Sequence, residues 1–158
     1  MCRPTSVQCF WRFCSCFVLL QKQNDNMKKR DVYKLENEEF LQEVAEREGV
    51  GTLPKGILYE VLQAGEGKTP NPNSIVSVFY KGMLISGKVF DDNTRQACPD
   101  AFRLRELITG WQIALVRMHV GDKWRIYLPS EMGYGPRGTH GIPGHSVLVF
   151  EIELVSVG

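Results

Sequence analysis

Ile75-Val76-Ser77-Val78-Phe79-Tyr80-Lys81-Gly82-Met83-Leu84, followed by Gly87-Lys88-Val89-Phe90-Asp91, is the stretch that decides the fold. Apolar residues alternate, so the spacing predicts a strand over 74–85. Val76, Val78 and Tyr80 share one face, and Ser77, Phe79 and Lys81 share the other. Ser86-Gly87 turns the chain into Lys88-Val89-Phe90, and Asp91 to Pro99 reads as a polar bulge or loop. Downstream come Ile108-Thr109-Gly110-Trp111, Val120-Gly121-Asp122 and Gly133-Tyr134-Gly135. Aromatics at these places would line one apolar cavity with few polar groups. Such a site suits an apolar, ring-bearing ligand such as proline better than it suits bond making.

Upstream, Asn37 is a candidate N-cap and Glu38 and Glu39 suit the first turn. Phe40, Leu41, Val44 and Ala45 then recur at helical spacing, and Gly49 supplies a stop. A short amphipathic helix is therefore predicted over 38–48. Residues 49–54 read as a linker. Strand patterns follow over 57–62, at Phe102 and Leu104, over 123–128 and over 147–157. In the last, Leu148, Phe150, Ile152 and Leu154 point one way while Glu151 and Glu153 point to solvent. A helix is predicted over 111–118, with Trp111, Leu115 and Met118 on one face. Residues 133–145 form a long glycine- and proline-rich surface loop, a kind that is usually functional or disordered. Five or six strands with an isolated helix give α+β. The expected fold is a curved antiparallel half-barrel wrapped on one short helix, with the N-terminal helix outside it. The expected organisation is a separate segment 1–26, a helix and linker 27–55, and one domain 56–158.

The 158 residues, 43% hydrophobic and 23% charged, fit one globular domain and a tail. A net charge of +1 without a long basic run does not indicate a nucleic-acid partner. Cys2, Cys9, Cys14 and Cys16 crowd the first sixteen residues, and Cys98 stands alone. Their gaps lack tight zinc pairs, and one domain cysteine excludes a disulfide framework across the domain. The G-x-S-x-G and HExxH signatures of hydrolases are absent. The apolar run Phe13 to Leu20 is too short for a membrane span of roughly 20 residues. It also lacks an A-x-A-like cleavage site. Met27-Lys28-Lys29 looks like a more natural beginning, with 1–26 as upstream sequence. A cytoplasmic location is expected on that reading, and an exported one if 1–26 act as a signal.

Six motifs resemble the FK506-binding-protein (FKBP) family, in the family's order. They are Val78-Phe79-Tyr80-Lys81-Gly82, Gly87-Lys88-Val89-Phe90-Asp91, Ile108-Thr109-Gly110-Trp111, Met118-His119-Val120-Gly121, Gly133-Tyr134-Gly135 and Leu148 to Leu154. The preceding helix and Thr52-Leu53-Pro54-Lys55-Gly56-Ile57 resemble the linker of the family's bacterial branch. The resemblance implies a peptidyl-prolyl cis-trans isomerase that assists protein folding and needs no metal or cofactor. Its implied catalytic pocket uses Tyr80, Phe90, Asp91, Trp111, Tyr134 and Phe150, with substrate contacts from Leu107, Ile108, Ile142 and Phe102. Implied partners are proline-containing polypeptides and macrolide ligands of the FK506 and rapamycin type. The segment Asp100-Ala101-Phe102-Arg103-Leu104 departs from a frequent Phe-x-Phe pattern, so one pocket aromatic is missing. Arg137 makes the tyrosine-bearing loop basic.

Each of these residues has a plainer reading. A Trp at a helix start is usually core, Phe150 could be strand core, and Asp91 could cap a turn. His140 and His145 could be metal ligands or a pH switch, but four loop residues between two histidines is weak evidence. The rival function is a proline-segment binding module with little turnover, which a cis-trans assay on an X-Pro peptide separates from an enzyme.

Overall fold

The computed structural model describes residues 28–158. The expectations for residues 1–26, including their four cysteines and the run Phe13 to Leu20, lie outside the described residues. Residues 34–158 form one compact unit, which holds the whole sheet.

Seven strands are present among the described residues, more than the five or six expected. They are β1 Val50–Thr52, β2 Leu58–Gln63, β3 Ile75–Leu84, β4 Val89–Asp92, β5 Asp100–Arg103, β6 Lys123–Leu128 and β7 Leu148–Val157. Their order is β1-β2-β6-β7-β3-β4, with β5 also on β3, and every pairing is antiparallel. The ten-residue β3 carries the sheet. One edge pairs with β7 from Val76–Val157 to Leu84–Leu148. Its other edge pairs first with β5, through Ile75 to Val78, and then with β4, through Lys81 to Met83. The loop 93–99 splits that outer strand in two.

Helix α1 runs Lys29–Ala45 and α2 runs Thr109–Leu115. Both expected helices are corrected. α1 starts nine residues before 38, so Asn37 is inside the helix rather than its cap. It also ends at Ala45 rather than 48. α2 starts two residues early and ends three early, passing into turns in which Arg117 N–H meets Ala114 C=O and Met118 N–H meets Leu115 C=O. The expected linker 49–54 contains β1, which pairs Val50 with Glu60 and Thr52 with Leu58. Leu104 begins a 3-10 turn rather than ending a strand. Asp91 and Asp92 belong to β4 rather than to a loop.

The strands' period of two sorts residues onto two faces. Val76, Val78, Ile126, Leu128, Ile152 and Leu154 are fully buried on the inner face, against Leu115 and Met118. Burying each such side chain contributes about 1.5–3 kcal/mol. Gly110 lets α2 lie close to β6, because a Cβ there would stand 2.5 Å from Leu128 Cδ2. On the outer face Val44 packs with Leu58, Tyr127 and Val149, flanked by Phe40, Leu41, Val50 and Met83. Glu151 is not simply solvated: its carboxylate takes the Arg125 guanidinium at 2.6 Å, and Glu60 approaches the same group at 3.4 Å. No helix among the described residues is long and apolar enough to cross a membrane.

Candidate functional site

A cavity of about 230 Å³ lies where the start of α2 meets β3, β4, β5 and β7. Tyr80 enters it from β3, Phe90 and Asp91 from β4, and Phe102 from β5. Leu107, Ile108 and Trp111 come from the entry of α2, Tyr134 from the loop after β6, and Phe150 from β7. Nine of the ten residues singled out in the sequence thus share one lining. The tenth, Ile142, is 5% exposed, packs in the core and bridges Thr139, outside the lining.

Three rings stand nearly perpendicular to the Trp111 plane, as walls to a floor. Tyr80 is 5.1 Å away at 82°, Phe150 5.2 Å at 90° and Phe102 6.4 Å at 88°. Phe90 meets Phe150 in turn at 5.5 Å and 89°. Edge-to-face contacts of this kind are favourable for ring quadrupoles. The wall formed by Phe90 and Phe150 needs Gly82 beneath it. A Cβ at that position would lie 2.6 Å from Phe90 Cζ and 2.8 Å from Phe150 Cε1. Among the described residues the buried Trp111 Nε1–H finds no hydrogen-bond partner, which keeps the floor apolar at some cost.

The polar groups are few. The Tyr80 hydroxyl donates to Asp91 Oδ2 at 2.7 Å. Burial, and then this bond, push the Tyr80 phenol well above the usual range. The bonded form is the neutral one, and ionisation would set two negative charges together. Tyr134 is 40% exposed at the rim. Gln112 Nε2–H donates to the carbonyls of Leu107 at 2.6 Å and Arg105 at 3.2 Å, tying the entry segment to α2. The Ile108 carbonyl accepts the N–H groups of Trp111 and Gln112 and so starts the helix.

Two residues at or beside the site were not read from the sequence. Glu106 belongs to the lining and lies 3.9 Å from Arg103. Asn93 is 2% exposed and satisfies every arm of its amide. Its Oδ1 accepts Tyr80 N–H at 2.6 Å, and its Nδ2 donates to Val78 C=O at 3.1 Å and Asp100 Oδ2 at 2.9 Å. It therefore clamps β3 to β5 where the strand pairing is interrupted. Asp122 accepts the N–H of His119 at 2.6 Å and of Gly65 at 2.5 Å, a structural role. Among the described residues no group of three or more His, Cys, Asp or Glu is placed to hold a metal ion.

Fold and cavity together define an antiparallel half-barrel whose helix entry is walled by aromatics. Residues 66–155 match the family model described as FKBP-type peptidyl-prolyl cis-trans isomerase. Residues 14–61 match the domain amino terminal to that isomerase. The chain belongs to the FKBP-type peptidyl-prolyl cis-trans isomerase family. It is 44% identical over 119 residues to the peptidyl-prolyl cis-trans isomerase Mip of Coxiella burnetii, an alignment covering 75% of this chain and 52% of that protein. It is 40% identical over 119 residues to FkpA of Escherichia coli, covering 75% of this chain and 44% of that one. The chain spans about half the length of these sequence relatives. Among solved structures, a peptidyl-prolyl cis-trans isomerase of Pseudomonas syringae superposes with a TM-score of 0.77 at 37% identity, covering 84% of this chain and 98% of that one. The structure of E. coli FkpA gives 0.78 at 33% identity, covering 99% and 73%.

Proposed function

We propose that this protein catalyses cis-trans isomerisation of X-Pro bonds in polypeptides, with the aromatic cavity as its active site. The observation that carries the reading is the floor of Trp111 with the rings of Tyr80, Phe102 and Phe150 standing around it. A proline ring lies flat on the indole and the rings confine it. The X-Pro amide is planar by resonance, with a barrier of about 18–20 kcal/mol. Rotation breaks the conjugation, so the twisted amide has less charge separation across C–N than the planar one. A dry aromatic site favours it over the hydrated ground state. Each tenfold acceleration needs only about 1.4 kcal/mol. No bond is cut and no general base is needed.

Tyr80, with its proton committed to Asp91, acts as a wall rather than as a donor. Tyr134, at the rim, donates its hydroxyl to the substrate carbonyl. Leu107, Ile108 and Phe102 complete the apolar contacts. Proline-containing chains are the proposed substrates, and macrolides of the FK506 and rapamycin type are proposed competitors for the same cavity. A relative from Legionella longbeachae, 36% identical over 131 residues, is called an outer membrane protein. The test is a protease-free X-Pro peptide assay on the purified chain, with and without a macrolide and with EDTA. Catalysis that the macrolide inhibits and EDTA leaves unchanged is expected. Peptide binding without acceleration would make the protein a proline-segment binder.

A further inference from the structure

Asn37 is a polar side chain in a helix that packs through its apolar stripe, yet it is 1% exposed. Its Oδ1 accepts the N–H of Val147 at 2.8 Å across 110 residues of sequence. Val147 stands one residue before β7, beyond the last ladder pairs at Leu148. It is itself 2% exposed. A buried amide outside a ladder must find an acceptor elsewhere, and Asn37 supplies it.

Val147 is also the far base of the loop that carries Tyr134. That loop is closed on itself. Gly135 N–H reaches Ser130 C=O at 2.7 Å, and His145 N–H reaches Gly135 C=O at 3.1 Å. Thr139 and Ile142 exchange two backbone bonds at 3.0 and 2.9 Å, and the Ser146 hydroxyl donates to Pro143 C=O at 2.7 Å. His145 sits at φ 64°, a left-handed conformation that a side-chain-bearing residue keeps only where its surroundings over-determine it. The loop base is therefore held at two neighbouring points. Val147 is fixed from α1, and His145, two residues earlier, is fixed to Gly135. Gly135 adjoins Tyr134 of the cavity lining.

We propose that Asn37 is a positioning residue of the site: from α1 it fixes the base of the loop 133–147 and, through His145 and Gly135, the place of Tyr134 over the cavity. The inference rests on the reading of Tyr134 given above. Asn37 touches no substrate. It works by holding a loop whose order sets where one hydroxyl points.

The test joins amide hydrogen exchange to a double-mutant cycle. In Asn37→Ala, the amides of Val147, His145 and Gly135 should exchange at least about tenfold faster under native conditions, with that of Ile152 in β7 unchanged, because loops open locally. Asn37→Asp keeps the acceptor and should restore much of the protection. Val44→Ala weakens the docking of α1 without touching the anchor and should leave the loop amides as they were. On X-Pro peptides, Asn37→Ala should lower kcat/KM about threefold beside Tyr134 and by clearly less in a Tyr134→Phe background, since residues acting as a unit are not additive. Loop exchange unchanged in Asn37→Ala, or raised equally by Val44→Ala, overturns the anchor. Independent effects of the two substitutions on rate overturn the route through Tyr134. A wild-type chain without isomerase activity would defeat the functional reading, and the exchange arm would still decide whether Asn37 holds the loop.

Discussion

Two hollows of similar size, about 230 and 200 Å³, lie against the sheet. Neighbouring residues of β7 separate them: Phe150 faces the inner one and Val149 the outer one. The inner hollow has an indole floor, ring edges for walls and a hydroxyl already committed to a carboxylate. The outer one lies beside α1, between Phe40, Met83 and Tyr127, with Arg47 and Arg125 among its lining. Both arginines are engaged. Arg47 lies 5.9 Å over the Phe40 ring, and Arg125 is bonded to Glu151 and Glu60. The Glu151 bond is the main reason the Arg125 guanidinium holds its proton more tightly than usual. Size does not distinguish the two hollows. Chemistry does: one leaves flat aromatic surface for a ring, while the other is the seam of a docked helix.

The largest expected effect breaks that comparison if it fails. Trp111→Leu keeps an apolar filler and so limits the loss of stability, which truncation to Ala would raise to about 3–5 kcal/mol. It should lower kcat/KM for X-Pro peptides at least tenfold, or about 1.4 kcal/mol of transition-state stabilisation. Tyr127→Leu on the outer face removes a ring 6.1 Å from Phe40. It should cost about 1–3 kcal/mol in denaturant unfolding, from the lost ring packing and the lost hydroxyl contact to Glu60, and leave kcat/KM unchanged. The reverse pattern, with turnover sensitive to Tyr127 and indifferent to Trp111, would put the active site on the other face.

The same two faces show what could be read from the sequence. The alternation of Val76, Val78 and Tyr80, and of Leu148 to Leu154, identified β3 and β7, because one buried face imposes a period of two. The aromatics of the inner cavity were legible through the family resemblance, since Trp111 lies on a helix and Tyr134 in a loop, where alternation says nothing. Asn93 was not, because an Asn in a polar loop looks like any turn residue. Its worth arises only when β3 and β5 meet. Strand β1 was missed because Val50-Gly51-Thr52 is short and contains glycine. It is a strand only because β2 offers a partner edge. The first turns of α1 were missed because Lys29-Arg30-Asp31 shows no apolar stripe, so periodicity had nothing to detect. Asn37 before two glutamates fitted a cap by local chemistry, and the buried Val147 amide that claims it lies 110 residues away.

A smaller effect sharpens the account of the inner face. Tyr134→Phe keeps the ring and removes the hydroxyl. A neutral hydrogen bond contributes roughly 0.5–1.5 kcal/mol, so the rate should fall about twofold to tenfold. Steady-state kinetics locate the loss. A bond equal in planar and twisted states shows as a higher KM, and one that strengthens on twisting shows as a lower kcat. Unchanged kcat and KM would mean that the hydroxyl does not reach the substrate, leaving the cavity purely apolar in action.

The smallest effect concerns the one hydroxyl that the inner face already uses. Burial and the bond to Asp91 raise the Tyr80 phenol above its ordinary 10.0 in the folded protein. The unfolded chain therefore loses that proton first as pH rises. The bond's contribution to stability is fully present below about pH 10 and declines as pH climbs from there towards the folded value. One retained proton sets a limit of about 1.4 kcal/mol per pH unit. Solvent screens part of the coupling because the ring is only half-buried, so the observed difference should fall below that limit. Denaturant midpoints at pH 8 to 11 measure it. Wild type should lose more stability above pH 10 than Tyr80→Phe, with parallel curves below pH 9. Parallel curves over the whole range would mean that Tyr80 ionises as freely in the folded chain as in the unfolded one. The Tyr80–Asp91 bond would then be an exposed contact at the rim, and the polar closure that distinguishes the inner hollow from the outer one would be lost.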